Sequence, residues 1–129
     1  MSDRRSILVV DDSKLACMML QKAISSFDPE AMITIAMNGV EAMAFYDKRP
    51  ATIAIVDYKM PGMSGLELAM QLRRRDATMH IAIISANVQH SLRMEADRIG
   101  VAFIPKPITH EPIHAYLQAA YAAPRGPAQ

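Results

Sequence analysis

Residues 52–65 read TIAIVDYKMPGMSG. The apolar run Ile53–Val56 ends in a carboxylate, Asp57, and the chain then turns through Pro61-Gly62. Continuous rather than alternating hydrophobicity over so short a run predicts a strand covered on both faces, as in a parallel sheet. Directly after the turn, Ser64 and Glu67 have capping-box spacing, and Met63 and Leu68 are placed for a hydrophobic staple. This predicts a helix over Leu66–Arg75, so the stretch is a strand, a tight turn and a helix, with an acid at the strand's carboxyl end.

The same unit recurs on both sides. Apolar runs lie at Ile7–Val10, Met32–Ala36, Ile81–Ile84 and Val101–Ile104. Helical stretches separate them. Lys14–Phe27 carries Leu15, Met18, Met19 and Ala23 at helical spacing, and Asn38–Lys48 carries Val40, Ala44 and Phe45. Val88, Leu92, Ala96 and Ile99 form one stripe on a fourth helix ended by Gly100. Thr109 is placed to cap a fifth, with Ile113, Leu117 and Ala120 inward. Five βα units of this size predict a doubly wound sheet with right-handed crossovers.

The 129 residues fit one domain, expected over 1–123, with 124–129 (PRGPAQ at the end) as a flexible tail. At 51% hydrophobic the chain has enough apolar mass for a core. Fourteen basic against thirteen acidic residues argue against nucleic acid or an anionic membrane as partner. The lone Cys17 cannot form an internal disulfide and reads as a small core residue. The four apolar residues Ile7–Val10 are too few for a signal peptide or membrane span, so the expected location is the cytoplasm.

Polar residues collect after the runs. Asp11 and Asp12 follow the first, Asp57 ends the third, Ser85 ends the fourth, and Lys106 stands between Pro105 and Pro107 after the fifth. The second ends in the unremarkable Met37-Asn38-Gly39. In an open parallel sheet the functional crevice lies beyond the carboxyl ends of the strands, where strand order reverses. If the first and third strands are central neighbours, the three aspartates converge there, with Ser85 and Lys106 beside them. Carboxylates so close repel, and a divalent cation relieves the repulsion. Oxygen donors without His or Cys point to Mg²⁺, Mn²⁺ or Ca²⁺ rather than zinc. A carboxylate can also be a nucleophile and carry an aspartyl phosphate. Singly, each residue has an ordinary reading: a helix cap for Asp11 or Asp12, a strand end for Ser85, a surface cation for Lys106. Their joint placement at four strand ends is what those readings explain poorly.

These stretches, ILVVDDS (7–13), AMNGVEA (36–42), IVDYKMPGMSGLEL (55–68), AIISA (82–86) and IPKPI (104–108), resemble the receiver domain of bacterial response regulators over nearly the whole chain. The resemblance implies a flavodoxin-like (βα)5 parallel sheet in the order 2-1-3-4-5. It implies phosphorylation of Asp57, with Mg²⁺ (or Mn²⁺ in its place) held directly by Asp12, Asp57 and the backbone carbonyl of Lys59, and through water by Asp11. Ser85 is implied as the hydroxyl that moves onto the phosphoryl group, Lys106 as its ion-pair partner, Phe103 as the aromatic switch, and Lys106–Pro107 as a cis bond. The implied donor is a histidine kinase or phosphotransfer protein. The implied readout is a protein target at the face of helix 4, strand 5 and helix 5, by a monomer or weak dimer that catalyses only its own phosphotransfer and dephosphorylation.

The chain departs from the family pattern at Lys59, a long cation two residues past the phosphoacceptor. It departs also at Phe103, which lacks a tyrosine hydroxyl, at Ile108, where the family often has Phe, and in a short turn between Gly100 and Lys106. An aspartyl-phosphate phosphatase of the haloacid dehalogenase type wants an aspartate where Lys59 stands. A flavodoxin-type cofactor binder wants a phosphate-cradling loop where DDSKLA (11–16) stands. A receiver that binds partners without taking phosphate is opposed by the intact acid cluster. His110 and His114 read as solvated or partner-facing, Arg73–Arg75 as cations favoured at a helix C-terminus, and Met94 as an ordinary exposed methionine or, with His90 and Arg93 nearby, a partner contact.

Overall fold

The computed structural model describes residues 5–86 and 89–123. Val88 and the tail 124–129, both assigned from sequence, lie outside the described residues. Strands and helices alternate as β1 (Ser6–Val10), α1 (Lys14–Phe27), β2 (Met32–Ala36), α2 (Gly39–Lys48), β3 (Ile53–Asp57), α3 (Gly65–Arg75), β4 (His80–Ser85), α4 (His90–Arg98), β5 (Ala102–Pro105) and α5 (His110–Ala122). All strand pairs are parallel, in the order β2-β1-β3-β4-β5. The apolar runs decide this order. Every residue of β3, and all of β1 and β4 beyond the first, is buried, as strands with helices on both faces must be. The outer strands β2 and β5 are mostly half-buried or exposed.

The side-chain alternation of the strands divides the core in two. On one face Leu8, Val10, Ala54, Val56, Ile81 and Ile83 meet Met43 and Tyr46 of α2, Leu68 and Leu72 of α3 and Ala96 of α4. On the other, Ile7, Val9, Ile53, Ile55 and Ile84 meet Leu20 and Ile24 of α1 and Ile113 and Leu117 of α5.

Two helices turn differently from their expected faces. On α1 the buried residues are Ala16, Cys17, Leu20, Ala23 and Ile24, while Leu15 and Met18 are 66% and 65% exposed and Met19 is also exposed. On α2, Ala42, Met43 and Tyr46 go inward, whereas Val40 and Ala44 are exposed and Phe45 is half-buried. Each helix carries two apolar stripes, and periodicity alone does not say which one the sheet takes. Thr109 occupies the N-cap position of α5, but its side chain makes no capping bond.

Arg73 is half-buried rather than a solvated cation at the helix end. Its guanidinium donates to the carbonyls of Met79 (2.6 Å), Ile99 (2.9 Å), Gly100 (2.9 Å) and Ala77 (3.2 Å). It thereby ties the end of α3 to the turns before β4 and β5. Arg75, by contrast, forms an ion pair with Asp47 of α2. His114 is half-buried on the α1–α5 seam rather than fully solvated, with Nε2 donating to the Ala23 carbonyl (3.0 Å) and its ring beside Phe27. No helix among the described residues is long and apolar enough to cross a membrane.

Candidate functional site

The strand order reverses between β1 and β3. Their register pairs Val10 with Val56, so Asp11 and Asp57 follow in step on adjacent strands. This is the crevice position of a doubly wound sheet. One carboxylate oxygen from each of Asp11, Asp12 and Asp57 can be chosen so that all lie within 4.8 Å of one another. Asp11 and Asp57 are buried and Asp12 is exposed, so the cluster is open on one side.

Local structure holds each carboxylate. Ser13, rather than either aspartate, is the N-cap of α1, accepting from the Ala16 N–H (3.2 Å). Its own N–H donates to Asp11 Oδ1 (2.9 Å), which fixes that side chain in the crevice. Beneath it, the Cys17 thiol donates to the Asp11 carbonyl (3.3 Å) from the core position expected of it. On the β3 side the loop closes where the Gly65 N–H donates to the Tyr58 carbonyl (2.7 Å). A Cβ at Gly65 would stand 2.3 Å from the Asp57 carbonyl oxygen, so only glycine lets α3 start this close to the acid. Gly62, at φ +82°, makes the preceding turn. The capping box is present as expected, with Ser64 N–H donating to Glu67 Oε1 (2.9 Å) and Glu67 N–H to Ser64 Oγ (3.2 Å).

From the other flank, the Lys106 N–H donates to the Ser85 carbonyl (3.0 Å), and its ammonium reaches Asp57 Oδ1 at 2.9 Å. The Lys106–Pro107 bond is cis. Ser85 is buried at the end of β4, between Asp57 and Lys106 in strand order. Lys59 is exposed in the loop after β3. Phe103 is half-buried on the α4 face of β5, packed against that core. All the sequence-derived positions on the strand ends are thus brought to one end of the sheet.

Burial pushes the Asp57 carboxyl above its ordinary range, against the opposing pull of the Lys106 hydrogen bond and charge. Burial also raises Asp11, with Asp57 adding repulsion and the Ser13 N–H opposing. For Lys106, burial alone would lower the ammonium, but the hydrogen bond to Asp57 and the charges of the three aspartates prevail and raise it. Asp11 Oδ2 is buried and has no hydrogen-bond partner. A buried, unpaired carboxylate oxygen is costly, and one facing two further carboxylates has the donor chemistry of a hard divalent cation site. The residues present therefore fit Mg²⁺, with Mn²⁺ an acceptable substitute.

The signal for Asp11, Asp12, Asp57 and Lys106 was in the sequence as strand-end chemistry. Sequence reasoning missed the part of Ser13 in holding Asp11. The hydroxyl followed by Ala16 at N-cap spacing was available as a cue.

The family model described as the response regulator receiver domain matches residues 7–118. The chemotaxis protein CheY of Listeria monocytogenes is 30% identical over 115 residues, covering 88% of this chain and 96% of that protein. The cyclic di-GMP phosphodiesterase response regulator RpfG of Xanthomonas campestris pv. campestris is 32% identical over 113 residues, 85% of this chain. The chain spans only 30% of the length of RpfG, and 46% of a positive alginate biosynthesis regulatory protein of Pseudomonas aeruginosa. Among solved structures, Vibrio cholerae CheY4 superposes with a TM-score of 0.82 at 24% identity, covering 91% of this chain and 98% of that one. A receiver domain of an HD domain-containing protein from Pseudomonas fluorescens Pf-5 gives 0.84 at 19% identity, covering 92% and 95%. Fold, strand-end chemistry and relatives agree, and the chain belongs to the response regulator receiver domain family.

Proposed function

We propose that this chain is a phosphoacceptor of a two-component phosphorelay and takes a phosphoryl group on Asp57. The observation that carries the reading is the placement of one buried carboxylate, Asp57, against the Lys106 ammonium at 2.9 Å and within reach of two further aspartates. Asp12, Asp57 and the Lys59 carbonyl would hold Mg²⁺ (or Mn²⁺), with Asp11 acting through water. The ion, when bound, neutralises charge that would otherwise repel an incoming phosphate.

The protein's own residues do the rest. An Asp57 oxygen attacks phosphorus, and the bond from phosphorus to the donor's leaving atom breaks. With a histidine kinase or phosphotransfer protein that bond is P–N and the imidazole departs. Lys106 is positioned to take a phosphoryl oxygen, and Ser85 to donate to another. The chemistry is the chain's own phosphorylation and dephosphorylation, not turnover of a separate substrate. Leu15 and Met18, in the turn after Ser13, give a protein donor an apolar landing beside the acids. Readout would pass through Ser85 and Phe103 to the face of α4, β5 and α5, where a downstream protein target in the cytoplasm recognises it.

Acetyl phosphate with Mg²⁺ is expected to add one phosphoryl mass to the wild-type chain, read by intact-mass spectrometry, and nothing to Asp57→Asn. Absence of the increment, in a protein that nonetheless binds beryllofluoride, would favour a receiver used as a binding module without phosphorylation.

A further inference from the structure

The strand alternation that puts Ile83 on the α4 face puts Ser85 there too, and the register pairs Ile83 with Phe103. Phe103 therefore lies on the same face as the site hydroxyl, diagonally below it. Its ring is half-buried and packed against the core on that face. The Arg93 guanidinium carbon stands 5.5 Å from the centroid of that ring. Arg93 is itself exposed, and no ion pair engages it among the described residues. A guanidinium within about 6 Å of an aromatic centroid is attracted by the ring face. Phenylalanine has no hydroxyl to hydrogen-bond, so the cation is the polar contact open to its ring.

We propose that Arg93 is a positioning residue. Its cation–π contact holds Phe103 in the resting orientation, so that activation at Asp57 must break it. This rests on the phosphoacceptor reading above and adds to it the residue that biases the resting state. A contact present in one of two states shifts their equilibrium by its own free energy, and linkage passes the same factor to any ligand that selects the other state. Removing the contact should therefore tighten binding of an activating ligand. The direction is diagnostic. Deleting a cation near an anionic ligand weakens binding by simple electrostatics, whereas loss of the latch strengthens it.

The test is a beryllofluoride titration of the full chain with saturating Mg²⁺, followed by NMR at the Ser85 and Lys106 amides. The ring signals are readily assigned, because the chain has three phenylalanines. Arg93→Gln should reach half-saturation at about two- to fivefold lower beryllofluoride than wild type, the factor expected of an exposed cation–π contact. Arg93→Lys, which keeps the charge but stacks less well, should fall between. In a Phe103→Leu background, Arg93→Gln should have no such effect. In the free wild-type protein the Arg93 Nε–H signal should show a ring-current shift that Phe103→Leu removes. Equal or weaker binding by Arg93→Gln, or tightening that persists undiminished in the Phe103→Leu background, overturns the latch alone. A wild type whose Ser85 and Lys106 amides ignore beryllofluoride overturns the phosphoacceptor reading, and the latch with it.

Discussion

The Asp57 carboxylate and the Lys106 ammonium meet at 2.9 Å across the gap between β3 and the loop after β5. Asp57 is almost wholly buried, and Lys106 is about a third exposed. Among the described residues Lys106 is the cation that ion-pairs with a cluster of three carboxylates, which leaves the pocket electrostatically under-compensated in the metal-free protein. Lys106→Met should leave Asp57 buried without its ion-pair partner. Phosphorylation by acetyl phosphate should then slow by at least roughly tenfold, equivalent to about 1.4 kcal/mol of lost transition-state stabilisation. Time-resolved intact-mass spectrometry measures it.

The raised Asp11 and Asp57 carboxyls give stability a definite pH dependence. A carboxyl whose folded value lies above the ordinary 3.8 binds more protons folded than unfolded, so its contribution is full below 3.8 and is lost as pH rises through the folded value. The metal-free protein should carry more of this penalty at neutral than at acidic pH. Mg²⁺ should therefore raise the melting temperature more at pH 7.5 than at pH 5, by a few degrees. Calorimetry in EDTA and in Mg²⁺ at both values checks the sign.

Asp11→Asn keeps the oxygen that accepts from Ser13 and removes the charge behind the unpartnered Oδ2. In EDTA at neutral pH it should stabilise the fold by about 1 kcal/mol. The same substitution should weaken the stabilising effect of Mg²⁺. Denaturant melts with and without the ion separate the two effects.

At Gly65 an added methyl would meet backbone, the Asp57 carbonyl oxygen at 2.3 Å and the Tyr58 Cα at 2.8 Å. Neither can step aside without moving the strand end that carries the acid. Gly65→Ala should cost about 2 to 4 kcal/mol by chemical denaturation and displace Asp57 from Lys106 in a crystal structure.

Leu15→Lys and Met18→Lys place charges where the side chains already face water. Each should leave stability within about 0.5 kcal/mol and leave labelling by acetyl phosphate unchanged. A loss of several kcal/mol in a thermal melt would restore the inward face expected from spacing alone.

That misassigned face shows where sequence reading runs out. Strands β1, β3 and β4 were legible because burial on both sides writes itself as unbroken Ile, Val and Ala. The acids and Lys106 were legible because polar groups directly after such runs have few structural duties. Helix orientation was harder. Leu15, Met18 and Met19 have the same spacing as a buried stripe, and only the competition with Cys17, Leu20 and Ile24 for the sheet decides between them. Arg73 was illegible for a different reason. An arginine that serves backbone carbonyls leaves no partner residue in the sequence to betray it, whereas Arg75 has Asp47.

The carbonyl contacts of Arg73 also bear on how α4 can move. Its far end is moored, because Ile99 and Gly100 hang from the guanidinium while Gly100 turns at φ +69°. Its near end, at Gln89, has no side-chain cap and no acidic residue in the first turn. An element tied at one end and uncapped at the other is expected to pivot about the tied end, so any displacement of α4 should be largest nearest Gln89, where His90 and Arg93 lie.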